Sequence, residues 1–427
     1  MRILLLGACG FIGRELAAAL RARGHRIVAG VRKSRIARAF AADEAIEVDL
    51  ERDLDPSAWA RRLERVDAVV NCAGILQERR AGASERIHVH GPAALYRACE
   101  AAGLRRVVLI SAISADPEAG TAYAKTKLAG EDALRATGLE WIVLRPSLVV
   151  ARGAHGGSAL LRALAALPAF VPVPGDGGQS FQPIRVEDLG TVTALALETD
   201  RLVHRTVTPV GPDVVTLREM LVDLRRWLGL PAARIVRIPR ALVAMAARCG
   251  DLAGGTLNTT ALRQLEHGNT GDASEFRRLT GVEAPGWRAI LAAQPSHAQD
   301  RWHARLYFVR PVLRIAIAAL WLVSGIAGLP AAASWAPSLA QASGIPAGAA
   351  LALLLAACAC DLAIGVLVLL RWRPVPLAGI QAAVVAVYTL FATLVAPDLW
   401  LDPFGPLVKN VPILAAIAAL AAIEEER

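Results

Sequence analysis

Charge is missing from most of the last quarter of this 427-residue chain: no Asp, Glu, Lys or Arg occurs from Ile315 to Cys360, from Pro374 to Pro397 or from Asn410 to Ile423. Such runs exclude an ordinary soluble fold there, because they match the roughly 30 Å of hydrocarbon in a bilayer. Aromatic residues are scarce too, at 5%, and do not alternate with basic ones. The formal net charge of +9 therefore lacks the stacking platforms of a nucleic-acid binder and fits attraction to an anionic lipid surface. The six cysteines (Cys9, Cys72, Cys99, Cys249, Cys358 and Cys360) show no framework spacing, which excludes a disulfide scaffold and points to a reducing compartment. A leader is lacking as well: Met1-Arg2 runs directly into ILLLG, an apolar stretch of five residues, too short for a secretory signal.

What is present starts with strand–helix alternation. Apolar runs at Ile3–Leu6, Arg26–Val31, Ala45–Val48, Ala68–Asn71, Val107–Ile110 and Trp141–Leu144 are separated by amphipathic stretches such as Phe11–Arg23 and Gly91–Ala102. That pattern predicts an α/β, Rossmann-like doubly wound parallel sheet over residues 1–150. Its first turn carries Gly7, Gly10 and Gly13 around Phe11 and Ile12. Gly7 permits a tight turn, Gly10 lets backbone approach a pyrophosphate, and Gly13 lets helix and strand pack closely. After the second strand there is no acid between residues 24 and 42, where a carboxylate would hold a ribose 2′-hydroxyl. Arg32, with Lys33, offers charge to a 2′-phosphate, so NADP(H) is the preferred cofactor and NAD(H) the alternative. Downstream, Tyr123 and Lys127 stand four residues apart, on one face of a helix. An ammonium beside a phenol lowers the phenol's pKa towards working pH, which suits a proton relay to a carbonyl or alcohol.

These motifs, with Asn71-Cys72-Ala73-Gly74 and Ser111, make residues 1 to about 295 resemble the short-chain dehydrogenase/reductase superfamily. The stretches Val108–Ser114, Leu144–Val149 and Gln182–Leu189 look like the atypical branch that includes the NADPH-binding accessory subunit of respiratory complex I. The resemblance implies that Asp49 and Leu50 lie by the adenine, that Cys72, Ala73 and Gly74 line the cofactor, and that Pro146 and Ser147 lie near the nicotinamide. It also implies a catalytic hydroxyl just past the fifth strand, for which Ser111 and Ser114 compete. Ser111 is favoured, because the strand end faces the ligand crevice. The helix that the family enters through Asn here carries His88 and His90; without further ligands nearby they make no metal site.

Residues 151–298 read as the remainder of this domain and a substrate cap. Ser158–Pro174, with Arg162 its sole charge, is a capping helix and loop or a greasy lip for a lipid-like substrate. Thr216–Leu228 and Pro239–Cys249 read as helices whose Arg225, Arg226, Arg240 and Arg248 sit on solvated faces or are available to a membrane surface or an anionic substrate group.

Residues 299–427 read as an all-α bundle of four spans, Pro311–Leu329, Ala347–Leu370, Pro376–Ala396 and Pro406–Ile423, with an uncharged outer loop at Pro330–Pro346. Arg301, Arg305, Arg310 and Arg314, then Arg371 and Arg373, place both termini and the nucleotide half in the cytoplasm, under an inner membrane. Asp361 interrupts the second span as a costly carboxylate, the mark of a functional or packing site. Trp321–Gly325, Asp361–Gly365 and Asp402–Asn410 make this unit resemble the DoxX-like membrane domains, some relatives of which are associated with quinone-linked redox chemistry.

The combined expectation is a membrane-anchored NADP(H)-dependent oxidoreductase acting on a lipophilic carbonyl, alcohol or quinone-like substrate. Tyr123, Lys127 and Ser111 are its catalytic residues. Epimerase or dehydratase chemistry and a non-catalytic NADPH-binding scaffold for a membrane redox complex are the alternatives.

Overall fold

A computed structural model describes residues 1–32, 42–78 and 80–424; Lys33, read above beside Arg32, lies outside them. The chain divides into two compact units, Met1–Ala304 and Arg305–Arg427.

The first unit is built on strands β1 (Arg2–Leu6), β2 (Arg26–Val31), β3 (Glu44–Glu47), β4 (Ala68–Asn71), β5 (Arg106–Ile110), β6 (Glu140–Leu144) and β7 (Arg205–Val207). They form one sheet in the order β7-β6-β5-β4-β1-β2-β3, every pairing parallel. Its helices include α1 (Phe11–Ala22), α2 (Gly91–Ala101), α3 (Ala122–Arg135) and α4 (Val186–Glu198). Alternate residues of a strand point to opposite faces. Ile3 and Leu5 therefore join Leu16, Leu20, Leu189 and Val192 on one side, while Leu4 and Leu6 join Leu95, Tyr96 and Leu134 on the other. Burial on both faces explains why these strands are continuously apolar rather than alternating.

The rest of this unit forms short strand pairs with their own core. Val149–Val150 pairs with Ile184–Arg185 and Phe170–Pro174 with Arg234–Ile238, both parallel, and Ser180–Phe181 pairs antiparallel with Val215–Thr216. Val171, Val173, Met220, Leu221 and Trp287 pack beneath them. One arginine differs from expectation, and a second shares its setting. Arg225 is buried, donating to the carbonyls of Ala165, Leu167 and Pro231. Arg162 is buried as well, donating to the carbonyls of Ala151 and Arg152 with its guanidinium 4.8 Å from the Trp227 ring centre. A guanidinium tolerates such burial when backbone carbonyls take up its donors.

In the C-terminal part, α5 (Ala298–Ser343), α6 (Ala347–Leu369) and α7 (Pro374–Val395) are long and apolar enough to cross a membrane. Helix α8 (Asn410–Glu424) is apolar but only 15 residues long, about 22 Å at 1.5 Å per residue. Contrary to the sequence reading, Pro330–Pro346 is no loop. Helix α5 runs through Pro330 and Pro337 to Ser343, since each proline removes only one donor and the neighbouring turns hold. Asp361 is buried, but not alone: it accepts from Ser324 Oγ at 2.7 Å and Tyr388 OH at 3.0 Å. A Cβ on Gly328 would lie 2.6 Å from Cys358 Sγ, so this cysteine works as small-residue packing between helices.

Candidate nucleotide and catalytic site

Because the pairings are all parallel, the segments following β1 to β6 emerge at one edge of the sheet. This brings together Gly7, Arg32, Asp49, Cys72, Ser111 and Pro146. That edge is where open α/β sheets take ligands.

The turn after β1 is shaped for a pyrophosphate. Gly7 has φ of +74°, in the left-handed region, and a Cβ there would touch the Cys72 and Ala73 backbone at 3.0 Å. A Cβ on Gly13 would lie 2.2 Å from the Gly7 carbonyl oxygen, so only glycine lets α1 sit this close to the turn. Gly10 caps α1 without a side-chain bond, and the first turn contains no acid. The N–H groups at Phe11 and Ile12 and the positive dipole end thus remain for an anion. These residues fit a dinucleotide.

Beside this turn, Asn71 shapes the Cys72–Gly74 segment: its Oδ1 accepts the Ala73 N–H at 3.1 Å and its amide donates to Tyr96 OH. The Cys72 thiol donates to the Leu6 carbonyl, and burial pushes its pKa up to about 12, so it is no nucleophile. A Cβ on Gly74 would meet Lys127 Nζ at 3.1 Å and His88 Nε2 at 3.3 Å. Glycine here keeps the lysine in view of the cleft.

Helix α3 starts at Thr121, whose hydroxyl accepts the Ala124 N–H. This places Tyr123 in the first turn and Lys127 one turn later. Lys127 is buried and donates to the Ile110 carbonyl at 3.2 Å. Burial lowers its pKa to about 8 against the opposing pull of Cys72 and Glu131. Tyr123 does not have the depressed pKa expected from its neighbour. Burial pushes it up to about 12, because the Lys127 ammonium is turned to a backbone carbonyl and leaves the phenol's desolvation uncompensated.

His88 carries a role that the sequence signalled without defining. It lies in a π-helical turn, Arg86–His90, that leads into α2. Its Nε2 accepts the Ile75 N–H at 3.1 Å, so Nδ1 carries the proton and donates to Thr126 Oγ1 at 2.8 Å. Thr126 in turn donates to the Tyr123 carbonyl, and the His88 ring meets the Tyr123 ring edge-on at 5.6 Å. Burial, then Lys127, lowers the His88 pKa to about 3. A neutral imidazole therefore ties the segment after β4 to α3.

Ser111 is placed differently from the reading above. Its hydroxyl donates to Glu131 Oε1 at 2.5 Å. Glu131 is fully buried and also takes Arg145 and Arg135, the latter reaching Thr206 on β7. Such a carboxylate draws the nearest hydroxyl because its lone pairs must be filled. Ser114, also buried in the following turn, has no hydrogen-bonded partner for its hydroxyl among the described residues. Glu131 was missed, although Tyr123, Lys127 and Glu131 at four-residue steps share one face of α3. Pro146 and Ser147 are buried at the end of β6, with the Ser147 hydroxyl held by the Gln182 carbonyl. Asp49 accepts the Glu51 N–H, Leu50 is buried, and Arg32 is exposed at the end of β2. His90 joins no cluster: the described residues contain no group of three or more His, Cys, Asp or Glu able to hold a metal.

Residues 7–163 match an NAD(P)H-binding family and residues 318–418 the DoxX-like family. A 3-diazoavenalumate denitrifying reductase of a Streptomyces species is 32% identical over 272 residues, covering 57% of this chain and 86% of that reductase. The chain belongs to the NAD(P)-binding short-chain dehydrogenase/reductase-like proteins, with a DoxX-like domain attached. This short-chain dehydrogenase/reductase is 28% identical to the ceramide reductase of Caulobacter vibrioides, over 61% of its own length and 80% of the relative. It is 26% identical to the NADH dehydrogenase [ubiquinone] 1 alpha subcomplex subunit 9 of Arabidopsis thaliana, over 55% of its length and 62% of that subunit. The structure of UDP-glucuronic acid 4-epimerase from Bacillus cereus covers 72% of this chain and is itself wholly covered, with TM-score 0.52 and 19% identity. That likeness shows the fold. The chain is an NAD(P)-dependent enzyme of the reductase type with a membrane-integrated DoxX-like part.

Proposed function

We propose that this enzyme is an NADPH-preferring reductase of a lipophilic carbonyl or quinone-like compound, anchored in the membrane where that substrate dissolves. The observation that carries the reading is Tyr123 and Lys127 on one face of α3, with Lys127 Nζ beside Gly74 at the ligand edge of the sheet. When bound, the nicotinamide supplies hydride to the substrate carbon. Tyr123 then gives its proton to the substrate oxygen. A phenol near pKa 12 stays protonated at neutral pH, so its burial favours reduction over alcohol oxidation. Lys127, still cationic at neutral pH, has N–H donors beyond the Ile110 bond for a ribose hydroxyl. Ser114, rather than Ser111, orients the substrate oxygen. The ceramide reductase relative supports a lipid-like substrate. Transient hydride removal on the same residues would give an epimerase.

Arg32 carries the NADPH preference. Fluorescence titration is expected to show tighter binding of NADPH than NADH, reversed or lost in Arg32→Glu; equal affinities in the parent enzyme discard the assignment. The Arabidopsis relative supports a second reading, in which the nucleotide is structural and the protein assists a membrane redox complex.

In the membrane, α8 completes a fourth passage, and both termini and the nucleotide unit face the cytoplasm of a bacterial-type cell. The arginines in the N-terminal part of α5 and those between α6 and α7 support this orientation. An impermeant maleimide added outside cells should label Gln341→Cys and spare Trp372→Cys; the opposite pattern overturns the topology.

A further inference from the structure

The helix Arg240–Ala253 of the first unit has two apolar faces, and only one of them is used. Val243 and Ala247 are buried against the unit. On the other side Leu242, Met245 and Leu252 are exposed by 50%, 58% and 92%, with exposed Ala241, Ala246 and Cys249 between them. Their spacing at steps of three and four puts them on one continuous stripe. Isolated exposed apolar residues are ordinary, but a contiguous stripe marks an interaction surface.

We propose that this stripe rests on an anionic lipid bilayer, seating the nucleotide unit on the membrane surface. The charges of the helix fit that occupant. Arg248 lies at one margin of the stripe with no ion-pair partner among the described residues, and Arg240 opens the helix. Its one acid, Asp251, is turned away to cap the next helix through the Thr259 N–H. Exposed apolar residues bordered by arginine are what an interfacial helix offers to lipid. The bilayer is also always at hand, because the same chain carries three helices able to cross it. At its far end the helix is tied to the ligand edge, the Asp251 carbonyl accepting from Gln77 just beyond Gly74. Docking needs no assumption about the reaction or the substrate.

Cys249, near the centre of the stripe and exposed, is a native reporter. The full-length protein is reconstituted into nanodiscs of phosphatidylcholine with phosphatidylglycerol and labelled with an environment-sensitive maleimide. Cys249→Ser, labelled in parallel, supplies the blank. The expected result is blue-shifted emission that brominated lipid quenches and aqueous iodide does not, as for a probe about 5–10 Å into the interface. The double variant Met245→Glu/Leu252→Glu should bind NADPH normally and lose the lipid quenching. Emission quenched by iodide and indifferent to brominated lipid overturns the proposal. So does shielding seen only in nanodiscs holding two copies, which would make the stripe a contact between copies of this chain.

Discussion

Tyr123→Phe is expected to lower reductive turnover by about 100-fold or more, the usual scale for losing a positioned proton donor, with NADPH affinity unchanged. The substitution removes one oxygen and keeps the ring that meets His88 edge-on, so the fold has no reason to respond. The pH profile should separate the two members of the pair. Tyr123, near 12, stays protonated across the working range, whereas Lys127, near 8, changes charge within it. Below pH 8 the lysine is a cation and can hold the ribose; above it the charge is lost. The rate of reduction should therefore be flat through neutral pH and fall as pH rises past about 8. A profile flat to pH 10 in the parent enzyme would remove Lys127 from the mechanism.

Gly13→Val should weaken nucleotide binding by roughly 100-fold. Any Cβ at this position lies 2.2 Å from the Gly7 carbonyl oxygen; the backbone fixes where the Cβ stands, and the oxygen is itself backbone, so neither can swing aside. The turn must open, which moves the N–H groups at the start of α1 away from the pyrophosphate position. Overpacking of this kind costs about 1–3 kcal/mol in stability, and the same strain set against binding is worth roughly 100-fold in affinity. Calorimetric titration with NADPH reads the affinity and thermal melting the fold. Unaltered affinity in a folded Gly13→Val protein would rule out this turn as the phosphate site. Complementation of a deletion strain then distinguishes enzyme from scaffold. Both variants fail if turnover is required, whereas Tyr123→Phe alone restores the phenotype if the nucleotide is structural.

Five of the seven sheet strands were legible because burial on both faces leaves near-continuous apolar runs such as Leu4–Leu6 and Val107–Ile110, while β3, half-buried or exposed throughout, was read from the short stretch Ala45–Val48. Strand β7 was not: it has three residues, and Arg205 is exposed, so no run betrays it. The Tyr123–Lys127 pair was legible because helical spacing alone puts the two on one face. Their ionisation was not, because it depends on burial depth and on a partner, the Ile110 carbonyl, that leaves no mark in the sequence. The Ile75 N–H that sets the His88 tautomer is invisible for the same reason. The hydrogen bond that engages Ser111 was not legible, because strand position says which edge a side chain reaches, but not that Glu131 waits there. The three long membrane helices followed from missing charge. The Pro330 boundary did not hold, because proline weakens a helix without ending it.

The hydrogen bonds at Glu131 also bear on how the chain comes together as it is synthesised. Its carboxylate lies on α3, but the groups that take up its charge arrive later: Arg145 follows β6, and Thr206, which Arg135 reaches, belongs to β7. A ribosome exposes α3 before either. Until Arg145 has emerged, moving Glu131 out of water leaves its charge opposed by Arg135 alone, its neighbour on the same helix. Docking of α3 and closure of the sheet on that side thus become a single late event, and the whole seven-stranded sheet waits on residue 207. Once that residue is free, the sheet can close while α6 and α7 are still to be translated.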